Sequence, residues 1–203
     1  YLPSLNAAEN IAGYNREAKI IVSLRNPATR AYSHYNMARK YGKEQRSFLD
    51  AIKAEGALEK ARWGWDECYL ELGDYAPQLK RWLKHFSMNQ IHVVWQDELL
   101  AEPAATLQGI SKFLGLKEDL KPLAEEKHGA EVPKNKAVGK VLGGIGPAVA
   151  SILPEKIKTS VKNIVLAKPE GMEEAARSFL LRYFAPSIEA LEKLLEKNLT
   201  HWK

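Results

Sequence analysis

Apolar positions along the chain fall into two spacings. Ile-Ile-Val-Ser-Leu at 20–24 and Ile-His-Val-Val-Trp at 91–95 are short apolar runs rich in β-branched side chains, the pattern of strands covered on both faces in a parallel sheet. Elsewhere the apolar residues recur at helical intervals, which predicts helices over 46–61, 67–72, 75–86, 103–114, 172–183 and 185–197. Strand and helix together indicate an α/β class, weighted toward helix. A sheet of two strands is marginal in water and leaves its edges open. Further strands are therefore expected from upstream residues or from another chain. The chain opens with Tyr1-Leu2 rather than Met, which fits residues 1–203 as the C-terminal portion of a single domain. Over 127–147, Lys, Gly and Pro are dense and periodicity is lost, predicting a loop that holds at most a short helix.

The junction after the first strand carries the most chemistry. Arg25 follows the apolar run, Asn26 suits an N-cap, and Pro27 suits the first helical position, where its missing N–H is not needed. Arg30 and Ser33 share one face of the helix that follows. A helix start with free backbone donors, a guanidinium fork and a hydroxyl match the oxygens of a phosphate, and open α/β sheets bind ligands at this edge. By spacing alone, the same segment also fits an ordinary ion-pairing arginine on a surface helix.

Composition narrows the setting. With 203 residues, 45% hydrophobic and 27% charged, one globular unit with a substantial core is expected. No stretch is apolar enough to span a bilayer. No signal-peptide pattern opens the chain, and a single Cys68 cannot form an internal disulfide, so a reducing, cytoplasmic setting is expected. Cys68 reads as a small buried hydrophobe. The net charge of +5 comes from Lys and Arg scattered among acids, unlike the banked stripe of a nucleic-acid binder. A basic cleft for a polyanionic small molecule explains the same surplus, and no His, Cys and carboxylate spacing suggests a metal site.

The string Leu24-Arg-Asn-Pro-Ala-Thr-Arg-Ala-Tyr-Ser-His-Tyr35 resembles the 3′-phosphate segment of sulfotransferases that use 3′-phosphoadenosine 5′-phosphosulfate (PAPS), an apolar strand followed by R-x-P-x-x-R-x-x-S-x-Y. The resemblance implies a P-loop NTPase-like sulfotransferase fold, a parallel sheet flanked by helices, here mostly helical because N-terminal strands are absent. It also implies that Arg25 and Ser33 hold the 3′-phosphate of PAPS or of its product adenosine 3′,5′-bisphosphate (PAP). Arg30 takes the second Arg of the pattern, as a phosphate contact or as a brace for the helix. Residues 73–100 resemble the family's helix, strand and acidic turn, 103–116 the helix after it, and 183–202 its closing helix and terminal Trp.

Further residues enter through the same resemblance. Trp95 stands where cytosolic members carry a Tyr against the adenine, and it is either a stacking face or a core Trp. Lys134 and Lys136 stand about where a late basic loop closes over the cofactor, although a solvated loop explains them as well. Gly143, Gly144 and Gly146 read as turn residues, since no strand precedes them. Trp63 and Trp65 either line an acceptor pocket or pack on the sheet. The family's Lys- and Gly-bearing loop for the 5′-phosphosulfate, and its general base, usually a His or Glu, are not found ahead of residue 19 and are expected upstream of Tyr1. His34 reads as a polar surface residue. The implied function is transfer of a sulfuryl group from PAPS to a hydroxyl or amine of a glycan, lipid or small molecule, in the manner of bacterial and carbohydrate-type members. The competing reading is a non-catalytic nucleotide-binding module of the same ancestry.

Overall fold

The two apolar runs form strands β1 (Ile20–Leu24) and β2 (Ile91–Trp95), paired in parallel with Ile20 beside Ile91 and Leu24 beside Trp95. A parallel pair needs a long crossover. Here it is supplied by α2 (Pro27–Lys40), α3 (Phe48–Gly56) and α4 (Tyr75–Trp82), with α1 (Ala7–Tyr14) ahead of β1. After β2 come α5 (Gln96–Ala101), α6 (Pro103–Leu114) and, toward the C-terminus, α7 (Glu174–Leu195). The structure, a computed structural model, describes residues 1–56, 68–122, 132–133, 166–167 and 170–203. A further antiparallel pair, β3 (Val132–Pro133) with β4 (Leu166–Ala167), is two residues long on each side.

The chain divides into two compact units. The first is Tyr1–Pro27, Asp74–Glu126 and Phe184–Lys203. Its core gathers Val22 and Leu24 of β1, Val94 and Trp95 of β2, Leu79 and Trp82 of α4, Phe184, Ile188 and Leu191 of α7, and Trp202. β1 buries alternate residues, leaving Ile21 42% exposed. The expectation of a strand covered on both faces is thereby corrected: β1 has one covered face and one open one, the period of two that a half-buried strand shows. Gly115 closes α6 in the left-handed region at φ 75°, where the amides of Gly115 and Leu116 both return to the Ser111 carbonyl.

The second unit is Ala28–Gly73 and Lys127–Tyr183. Small residues of α2, Ala28, Ala31 and Ala38, are buried together with Tyr35, Phe48, Ile52, Tyr69 and Leu70. Its centre is aromatic: Tyr35 lies 4.9 Å from Phe48 and 6.0 Å from Tyr69, centroid to centroid, within the range of favourable ring pairs. Cys68 is buried, as expected of a small hydrophobe, and is in no disulfide.

Both expected strands and the helix over 103–114 form where the pattern puts them, and the helix after Asn26 begins at Pro27. Three further expectations are corrected. In the segment expected to be helical over 67–72, the described residues 68–72 do not form an α-helix; a turn leads into a 3-10 segment at Glu71–Gly73, because the Glu55 carboxylate takes the Leu70 and Glu71 amides at 2.7 and 2.9 Å. The separate helices over 172–183 and 185–197 are one, with Pro186 inside it. A proline in a helix interior costs about 3 kcal/mol, which burial of Phe184, Ile188 and Leu191 offsets. The acidic turn after β2 is the helix α5, whose Asp97 and Glu98 complement the positive end of its dipole.

Candidate anion-binding site at the end of β1

β1 stops at Leu24, and Arg25 and Asn26 carry the chain to Pro27 in neither strand nor helix. Two side chains of the first unit hold this pair. The Tyr75 hydroxyl donates to the Arg25 carbonyl at 3.0 Å, and the Asn26 carboxamide donates to the Trp202 carbonyl at 3.4 Å. Tyr75 and Trp202 are buried, their rings 6.4 Å apart and tilted by 59°. Trp202 sits in a 3-10 turn, Thr200–Trp202, whose preceding Leu199 amide is taken by Glu192 at 2.7 Å.

The Arg25 side chain is half-buried. Burial presses its pKa below the ordinary arginine value, and the charge interaction with Tyr75 opposes that shift. An arginine stays protonated through such a shift, so the group is a cation held partly out of water, where attraction to an anion is stronger than at a fully solvated surface.

Arg30 and Ser33 belong to the second unit. Ser33 is half-exposed on the second turn of α2. Arg30 is a brace: its guanidinium donates to the Tyr69 carbonyl, and its charge acts on Glu55. Burial raises the Glu55 pKa, with the amides of residues 69–71 and the Arg30 charge acting the other way. A second carboxylate, Glu44, is 5% exposed. Burial acts to raise its pKa but is outweighed by hydrogen bonds from Arg46 and the Gln45 amide, leaving it below the ordinary value. Tyr69 adds a hydroxyl donor to Glu44 at 3.1 Å, and His34 meets the Tyr69 ring edge-on at 5.2 Å.

Trp95 is 8% exposed in the first unit. Its ring meets Trp202 edge-on at 5.5 Å, and the Lys197 ammonium lies 5.6 Å from its centroid. That is the setting of a core Trp. Lys134, Lys136, Trp63, Trp65, Gly143, Gly144 and Gly146 lie outside the described residues.

The sequence pattern assigned no supporting role to Tyr75, Trp202, Glu55 or Glu44. The only trace of the first two is a buried-type aromatic carrying a polar tip at each of two distant positions. Glu55 and Glu44 look like any exposed acids until the fold closes over them.

Among the described residues no group of His, Cys, Asp and Glu is arranged to hold a metal ion, and no helix is long and apolar enough to cross a membrane. The pattern of the family described as "Sulfotransferase domain" matches residues 11–140. The chain is 32% identical over 201 residues to the bifunctional heparan sulfate N-deacetylase/N-sulfotransferase 1 of Xenopus laevis, covering 97% of this chain and 21% of that protein. It is 31% identical over 119 residues to the heparan sulfate glucosamine 3-O-sulfotransferase 3B1 of Mus musculus, covering 58% and 30%. A crystal structure of a sulfotransferase from Alicyclobacillus acidocaldarius superposes with a TM-score of 0.71 at 24% identity, covering 100% of this chain and 64% of that one. The chain thus spans less than a third of these two curated relatives. The likeness to the solved structure shows the fold, the P-loop-like α/β fold of sulfotransferases.

Proposed function

The chain belongs to the sulfotransferase domain family, and from that premise we propose that it serves sulfuryl transfer from PAPS to an amine or hydroxyl of a glycan. The observation that carries the reading is the half-buried Arg25 cation at the C-terminal end of β1, directly ahead of the 14-residue helix that opens at Pro27. Relatives named for heparan sulfate N- and O-sulfation support a glycan acceptor.

The residues present fit the donor's 3′-phosphate. Arg25 offers a fixed positive charge and a forked set of donors, the chemistry that suits phosphate oxygens. Ser33 offers a hydroxyl that donates or accepts. When bound, PAPS would supply the sulfuryl group: the bond from sulfur to the phosphate oxygen would break as the acceptor nitrogen or oxygen bonds to sulfur and gives up its proton to a base, with PAP as the leaving group. Arg25 and Ser33 move no proton in this scheme. Arg25 grips the nucleotide end of the donor, so that the reacting end is delivered in one orientation, and orientation is worth much of such a barrier. Arg30 braces the turn at Tyr69, and Trp95 packs the first core.

Calorimetry with PAP tests the reading. The intact protein is expected to bind PAP, and Arg25→Ala to weaken binding by about 2 to 4 kcal/mol, the loss of a charge-assisted pair. Unchanged affinity in Arg25→Ala sinks the assignment. Sulfur-labelled PAPS offered with amine-bearing and fully N-acetylated glycosaminoglycans then separates N- from O-transfer. PAP binding without transfer to either identifies a non-catalytic module.

A further inference from the structure

We propose that Tyr75, seconded by Asn26 and Trp202, is a positioning residue that sets the Arg25 guanidinium for anion binding. The inference rests on the phosphate role of Arg25 proposed above. Arg25 and Asn26 lie between β1 and α2, outside both elements. Two side-chain bonds hold their backbone. The stronger by distance is Tyr75 hydroxyl to Arg25 carbonyl at 3.0 Å; Asn26 to the Trp202 carbonyl, at 3.4 Å, is longer than a normal N–H···O bond.

A bond to its carbonyl fixes the peptide plane of Arg25 and with it the direction from which the side chain departs. The anchors are rigid. Tyr75 is 6% exposed and Trp202 2%, and they are ring neighbours at 6.4 Å, with Trp95 on Trp202 at 5.5 Å. A binding group held by a buried support keeps its geometry to within a fraction of an ångström, and losing that support weakens binding without touching the ligand.

The test pairs two gentle deletions with the intact protein. Tyr75→Phe removes only the hydroxyl and keeps the ring against Trp202. Trp82→Phe, in the same unit, removes a comparable bond, from the Trp82 indole to the Leu2 carbonyl at 3.1 Å. PAP affinity is measured by calorimetry well below each melting temperature. The expected result is a roughly three- to tenfold weaker PAP affinity in Tyr75→Phe, the scale of one hydrogen bond, with Trp82→Phe binding as wild type although its melting temperature falls. Asn26→Ala is expected to weaken PAP less than Tyr75→Phe.

Wild-type affinity in a folded Tyr75→Phe overturns the inference alone, since the bond then serves stability only. Equal affinity losses in Tyr75→Phe and Trp82→Phe overturn it too, because the effect is then general loosening. A wild-type protein that does not bind PAP overturns the functional reading, and this inference with it.

Discussion

Arg25 and Arg30 flank one Asn-Pro turn and share one sequence motif, yet they have opposite surroundings. Around Arg25, in the first unit, neighbours hold the backbone: a tyrosine hydroxyl grips its carbonyl, while its half-buried guanidinium keeps its charge. Around Arg30, in the second unit, the guanidinium itself is spent on structure, donating to the Tyr69 carbonyl beside Glu55. The difference teaches that two arginines of one motif can be held in different ways, Arg25 through its backbone and Arg30 through its fork, and only the first carries the phosphate role we propose. Burial alone does not decide it, since both are partly buried.

The sharpest way to break this contrast is to truncate each arginine. Arg25→Ala is expected to cost about 2 to 4 kcal/mol of PAP affinity with little change in urea unfolding. Arg30→Ala is expected to lower the unfolding free energy by about 1 to 3 kcal/mol, the cost of a buried carbonyl and carboxylate losing a charged partner. If both variants lose affinity equally with intact stability, the contrast is gone.

Glu55→Gln probes the Arg30 side next. Its raised pKa means that the folded protein holds the Glu55 proton more tightly than the unfolded chain does. Stability from this group is therefore greatest below the ordinary carboxylate pKa and declines as pH rises to the shifted value. Glu44 runs the other way. Its lowered pKa contributes stability above the ordinary value, lost as pH falls through the folded one. Urea unfolding across the acid range is expected to show Glu44→Gln less stable by about 1 to 2 kcal/mol at neutral pH, the gap closing on acidification. The gap between wild type and Glu55→Gln should open in the opposite direction; parallel profiles for both variants would contradict these assignments.

The smallest effect belongs to the first unit's rim. Asp97 meets His201 at 3.1 Å with both side chains about half-exposed, and exposed pairs contribute roughly 0 to 1 kcal/mol. Asp97→Asn is expected to leave both unfolding and PAP affinity within about 0.5 kcal/mol of wild type. A larger change in affinity would extend the support of Arg25 out to the surface.

Much of this was legible beforehand, and for physical reasons. The strands at 20–24 and 91–95 and the helix over 103–114 are announced by periodicity, and the start of α2 by Asn26 and Pro27. What failed was tertiary. Nothing local shows that Glu55 will capture the 70–71 amides and turn a helical-looking stretch into a tighter turn, or that apolar burial will carry one helix through Pro186. Arg30 is the instructive residue: its spacing from Ser33 is that of a shared face, and only the Tyr69 carbonyl, distant in sequence, reveals its other commitment.

The proline in α7 has a dynamic corollary. A helix interrupted at Pro186 lacks one amide donor, so the Arg182 carbonyl has no partner four residues on. The rod is continuous in shape but jointed in its breathing. Deuterium uptake should therefore arrive in two blocks, one on either side of that residue, each fraying on its own clock.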